Sequence, residues 1–203
     1  MVYFKIFGVK IGISVSFCAL MTLLVYIDRT GLVLPSFEAV VLHEAGHLIM
    51  LLVFNCKPKE VDFALGTLCI KANYDLDLKK ETAVAVCGPL ANILLFGGCY
   101  ILYVFTAKNI FAIFSAVNLI YGGFNLLPVK GLDGETVLFN ILRCFFEINI
   151  CEKVVFYLGL FVCAGIFISG IFIIFKSGGN ASLLLTGIYL FIGGFRRKQF
   201  GGF

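Results

Sequence analysis

Charge is what this chain has least of. Charged residues fill 14% of its 203 positions and hydrophobic residues 61%, where a soluble domain carries about a quarter charged and about half apolar. That deficit excludes water as the solvent for most of the chain. The apolar excess does not sit in one anchor or a removable leader, because runs long enough to cross a hydrocarbon core of ~30 Å recur to the far end. No stretch is long and polar enough for a soluble accessory domain, and no internal repeat or low-complexity segment breaks the pattern. The chain reads as a single membrane-embedded domain over residues 1–203.

Paired cysteine motifs are also missing. The eight cysteines are scattered through apolar runs with no Cys-x-x-Cys, which argues against a disulfide framework and against a cysteine-held metal; they read as small core residues. Histidine is scarcer still, with two in the whole chain. The net charge of +4 would invite a nucleic-acid partner in a soluble protein. Here no nucleic acid is expected, because the placement of the charge reports membrane topology instead.

About six spans can be drawn, near 11–27, 32–54, 83–106, 109–126, 154–175 and 181–195, which makes the expected fold an all-α polytopic membrane protein. An even number puts both termini on one side. Thirteen of the sixteen basic residues then share that side, with Arg29, Lys108 and Lys176 opposite. Basic residues stay cytoplasmic, so both termini are expected in the cytosol and the chain in the lipid bilayer of a bacterial cytoplasmic membrane. Partial alternation in VYFKI and VKIGIS, and in VDFALGTLCIKA, predicts short interfacial β elements. Residues 135–150 mix apolar and charged positions as a helix lying at the membrane surface would.

Against this background one segment is anomalous. The second span reads FEAVVLHEAGHLIMLLVF and carries His43, Glu44 and His47 near its middle. An ionised group at the bilayer centre costs about 2.5–3.5 kcal/mol even on forgiving insertion scales, so three polar groups within five positions require compensation. A bound cation supplies it. Residues four apart share a helix face, so two imidazoles converge on one ion while the intervening Glu reaches a water beside it. Two histidines placed at random would fall four apart only about once in a hundred such chains.

Catalytic zinc takes three protein ligands and keeps a fourth position open. With no third histidine, the candidates are the membrane-embedded carboxylates Glu38, Asp133 and Glu135. Asp133 has the best setting. It lies in FNLLPVKGLDGETVL, where Pro128 ends the fourth span and Gly131 and Gly134 bracket the acid, letting the backbone turn sharply and carry a short carboxylate inward. Non-helical backbone at membrane depth is tolerated where it is buried in protein or faces a water-filled cavity, as a catalytic chamber does.

These elements resemble the site-2 proteases, intramembrane zinc metalloproteases whose HExxH helix is paired with a distant N-x-x-P...L-D-G segment. HEAGH at 43–47, Gly88-Pro89-Leu90-Ala91-Asn92 and Asn125 to Gly134 match in order over about 90 residues. The resemblance implies a three-helix catalytic core, Zn2+ as cofactor, and His43, His47 and Asp133 as ligands with Glu44 as catalytic base. It implies that Asn125 and Asn92 bind substrate or the developing oxyanion. Six spans with cytosolic termini look most like the branch that processes membrane-tethered pro-sigma factors in sporulation, although neither the nucleotide-sensing tail often found in that branch nor a PDZ-type insertion is expected here. The expected partner is a membrane-tethered protein substrate, whose segment must be extended to expose its carbonyls; residues 61–70 could offer it a strand edge. Two other classes remain open: a membrane metal transporter, which needs no Glu44, and a catalytically inactive relative that only binds membrane proteins. Substrate identity and oligomeric state are not written in the sequence.

Overall fold

The structure is a computed structural model that describes residues 2–6, 9–56, 60–64, 67–71, 76–177, 184–188, 190 and 191. It is mostly helical and resolves into two compact units, Met1–Gly123 and Phe124–Phe203.

The first unit opens with strands β1 (Val2–Ile6) and β2 (Val9–Ile13), continues through helices α1 (Val15–Ile27) and α2 (Val33–Val53), returns to strands β3 (Glu60–Ala64) and β4 (Thr67–Lys71), and ends in α3 (Leu78–Thr106) and most of α4 (Asn109–Asn125). The strands form one sheet in the order β1-β2-β3-β4. β1 and β2 pair antiparallel, as do β3 and β4, while β2 and β3 are parallel, with Lys10 opposite Glu60 and Ile13 opposite Phe63. The helices α1 and α2 are therefore the crossover between two neighbouring strands: the chain leaves the sheet through α1 and comes back to it through α2. The run VDFALGTLCIKA read as strand-like lies partly outside the described residues.

The helix ends follow local chemistry. Ser14 caps α1 by accepting from the backbone N–H of Phe17 at 3.1 Å, and Asp77 caps α3 by accepting from that of Lys80 at 2.9 Å. Between α1 and α2, one carboxylate organises the turn. Asp28 Oδ1 accepts from Thr30 Oγ1 at 2.7 Å and from the backbone N–H groups of Thr30 and Gly31, while its Oδ2 accepts from that of Val33 at 2.9 Å. Gly31 takes the left-handed conformation that this turn needs, at φ +70°.

The second unit contains α5 (Asp133–Arg143) and α6 (Ile148–Ser177), with residues 184–188, 190 and 191 also helical. Its core gathers Val129, Cys163 and Leu190, flanked by Phe124, Leu127, Leu132, Val162 and Ile166. The loop between α4 and α5 lies against α6 where a side chain is missing, since a Cβ at Gly159 would stand 2.9 Å from Pro128 O.

Among the described residues, three helices are long and apolar enough to cross a membrane: α2, α3 and Ile148–Lys176 of α6. The outer surface agrees with a lipid solvent. Phe161 is 75% exposed, Phe175 85% and Phe105 83%, an apolar display that water does not sustain. The first expected span is shorter than drawn, because residues 11–13 belong to β2 and the thirteen residues of α1 reach only ~20 Å. The third and fifth begin earlier, at Leu78 and Ile148. The single helix expected over 135–150 is instead two elements, α5 over Asp133–Arg143 and the start of α6 at Ile148.

Candidate metal centre

The first unit holds His43, Glu44, His47 and Asn92; Asn125 and Asp133 belong to the second. Within the first, α2 and α3 pack face to face because both carry small residues at their crossing. A Cβ on Gly46 would lie 2.5 Å from Cys87 O and 3.1 Å from Ala91 Cβ, so only glycine permits this approach. α4 closes on the same point of α3, where a Cβ on Gly122 would stand 2.9 Å from Asn92 Cβ.

The close crossing buries both histidines, at 2% and 9% exposure, and gives each a fixed partner. His47 Nδ1 lies 2.8 Å from Val84 O. A carbonyl can only accept, so this nitrogen carries the hydrogen. His43 Nδ1 lies 2.7 Å from Asn92 Oδ1. Asn92 donates its two N–H groups to Ala39 O at 2.9 Å and Asn118 Oδ1 at 2.8 Å, which leaves its carbonyl oxygen for His43. The His43 Nδ1 is therefore also the protonated nitrogen. The Tyr121 ring packs edge-on against that of His43, with centroids 5.1 Å apart.

A neutral ring that carries its hydrogen on Nδ1 presents an Nε2 lone pair, and the two Nε2 atoms are 3.2 Å apart. Two lone pairs at that distance repel unless a cation lies between them. Nitrogen ligands on a tetrahedral zinc with bonds of 2.0–2.1 Å stand ~3.3–3.4 Å apart, so the observed separation fits that ion. The space beside them is kept clear by Gly88: a Cβ there would lie 2.8 Å from His43 Nε2 and closer still to His47 Cε1 and Nε2. The donors, their tautomers and the cleared space all suit Zn2+.

Glu44 follows His43 on α2 and is half-buried. Asn92 departs from expectation. It is fully buried and both its amide hydrogens are engaged within the protein, so it has no donor left for substrate or an oxyanion; its place is behind His43, fixing that ring. The signal for this was in the sequence, since an asparagine inside an apolar helix needs an internal partner, but which partner depends on the crossing.

In the second unit Asn125 closes α4 and is buried, and Asp133 is the first residue of α5. Leu132 holds the N-cap position, so Asp133 is not the side-chain cap of that helix. The two glycines around it act differently. Gly131 adopts φ +92°, whereas Gly134 is required by proximity, since a Cβ there would run into Leu126 and Leu127. The other two carboxylate candidates are used elsewhere: Glu38 Oε2 accepts from Asn118 Nδ2 at 3.3 Å, and Glu135 Oε2 accepts from Gly131 N at 2.8 Å.

No protein-family model matches the chain. Among curated proteins, it is 34% identical over 105 residues to stage IV sporulation protein FB of Bacillus subtilis, a match covering 49% of this chain and 36% of that protein. It is 26% identical over 151 residues to a zinc metalloprotease of Methanocaldococcus jannaschii, covering 68% of this chain and 44% of that one. The chain thus spans less than half the length of these relatives. In structure it is similar to the site-2 protease from Methanocaldococcus jannaschii, with a TM-score of 0.67, 22% identity, and coverage of 96% of this chain and 94% of that one. The chain is thus similar in sequence to a sporulation protein and to a zinc metalloprotease, and similar in fold to a site-2 protease.

Proposed function

We propose that this chain is an intramembrane zinc metalloendopeptidase that hydrolyses peptide bonds of membrane-tethered proteins. The observation that carries the reading is the facing pair of Nε2 atoms in His43 and His47, with both Nδ1–H groups committed behind them. Asp133, carried by the Asn125 to Gly134 motif, is the third ligand of this reading, giving a His, His and Asp set of the composition that catalytic zinc takes. Zinc held there supplies Lewis-acid polarisation of the scissile carbonyl and of water. Glu44 takes the proton from the attacking water and returns it to the departing amine. Asn125 offers its amide to the substrate or to the oxyanion.

The substrate segment joins the sheet as an added strand. The outer strands of the sheet are β1 and β4, and of the residues expected to receive the substrate, 61–70, it is those in β4 that lie on an edge. The sporulation protein among the relatives supports a membrane-tethered pro-sigma factor or another transcription factor as the substrate class. Six spans with both termini in the cytosol remain the proposed topology, and the return of α2 to the sheet that α1 left supports the first pair. Cysteines introduced at Lys79 and Lys108, at opposite ends of α3 in a variant stripped of native cysteines, should react with impermeant reagents from opposite sides of the membrane. Labelling from one side would contradict that topology. The activity itself is tested by metal analysis of the purified protein together with cleavage of a membrane-tethered substrate; a metal-free and inactive protein would refute it.

A further inference from the structure

Glu38 and Asn118 are unexplained by the reaction just described, yet both are polar groups on apolar helices, where such groups require a reason. Asn118 is fully buried in α4. Its Oδ1 accepts from Asn92 Nδ2 at 2.8 Å, and its Nδ2 donates to Phe114 O at 3.0 Å and to Glu38 Oε2 at 3.3 Å. Asn92 in turn accepts from His43 Nδ1. An unbroken chain of hydrogen bonds therefore runs from Glu38 on α2, through α4 and α3, and back to the His43 ring on α2.

Every link has a fixed sense. Phe114 O and Ala39 O can only accept, which orients both amides, and Glu38 Oε2 at the far end accepts from Asn118 Nδ2. Glu38 stands five residues before His43, roughly 140° around the helix, so it reaches the ring through this route and not along its own helix face. Chains of this kind polarise one another, and partners behind a ligating histidine set its tautomer and raise its basicity.

We propose that Glu38 and Asn118 are positioning residues of the metal centre: the Glu38 carboxylate, acting through Asn118 and Asn92, holds the His43 ring with Nε2 presented to the metal and increases its donor strength. This rests on the zinc reading above. A simple helix-to-helix tie would account for the Asn118 to Asn92 contact, but not for a carboxylate at the end of the chain.

The test is zinc affinity, measured by chelator competition on the full-length protein purified in detergent and freed of metal, alongside thermal unfolding of the same metal-free samples. Asn118→Leu and Glu38→Leu should bind zinc roughly 10–100-fold more weakly than the parent. Glu38→Gln keeps an acceptor without the charge and should recover part of that loss. If Asn118→Leu does not fold, the two Glu38 variants decide. Variants that unfold at lower temperature yet bind zinc within about twofold of a zinc-binding parent would overturn the proposal and leave a structural tie in its place. A parent that itself binds no zinc would refute the zinc reading, and this proposal with it.

Discussion

His43 and His47 point their Nε2 atoms at each other across 3.2 Å, while Asn92 and Val84 hold the opposite side of each ring. Four-residue spacing on α2 brings the rings to one face, and α3 supplies both anchors. The metal-binding form of each ring is thus a product of helix packing.

Gly88 is the most direct mutational probe of that packing. Its missing side chain leaves the space beside both Nε2 atoms, so Gly88→Ala should bring a methyl group against the two donors. Overpacking of this kind costs about 1–3 kcal/mol, which a membrane helix pair should survive, while bound zinc should fall below about a tenth of the parent level. Metal content per folded protein, after size-exclusion chromatography, checks it. Full zinc occupancy in Gly88→Ala would show that the ion is held elsewhere.

The third ligand separates by contrast. Asp133→Ala should deplete zinc and lower cleavage by at least ~100-fold, because two histidines alone hold the ion weakly. Glu135→Gln, which keeps an acceptor for the Gly131 N–H, should retain zinc near the parent level. Metal analysis of the two variants side by side decides, and retention by Asp133→Ala with loss in Glu135→Gln would reassign the ligand.

The turn between α1 and α2 should show a pH signature. Hydrogen bonds from the Thr30 hydroxyl first, then from the Val33 backbone, lower the Asp28 carboxyl from 3.8 to about 2. A carboxyl depressed in the folded state contributes stability above its unfolded value and loses that contribution as pH falls through the folded one. The difference in thermal unfolding between the parent and Asp28→Asn should therefore be constant above pH ~4 and fade between ~4 and ~2. A difference that stays constant down to pH 2 would contradict the charged role of Asp28.

Much of the site was legible because helical spacing is fixed. His43, Glu44 and His47 need only 3.6 residues per turn to be read as one face, and the Gly131 turn needs only a glycine three residues after Pro128. What the sequence concealed depends on how helices cross. Asn92 reads equally well as a substrate donor until α2 and α4 are seen to consume both its amide hydrogens. Asn118 resembles any buried tie. Glu38 resembles a spare ligand, although it lies on the far side of α2 from His43. The span boundaries slipped for a related reason: hydropathy marks where lipid begins, whereas caps such as Asp77 mark where the helix begins, and α3 starts five residues before its apolar run.

The sharpest measurement is cleavage of a membrane-tethered substrate by Glu44→Gln, with zinc counted in the same preparation. The variant keeps both histidines and should hold one zinc as the parent does, while cleavage should fall by roughly 10²–10⁴-fold, the range that loss of a proton-transfer group produces. A variant that retains both zinc and parent-level cleavage would contradict the protease mechanism.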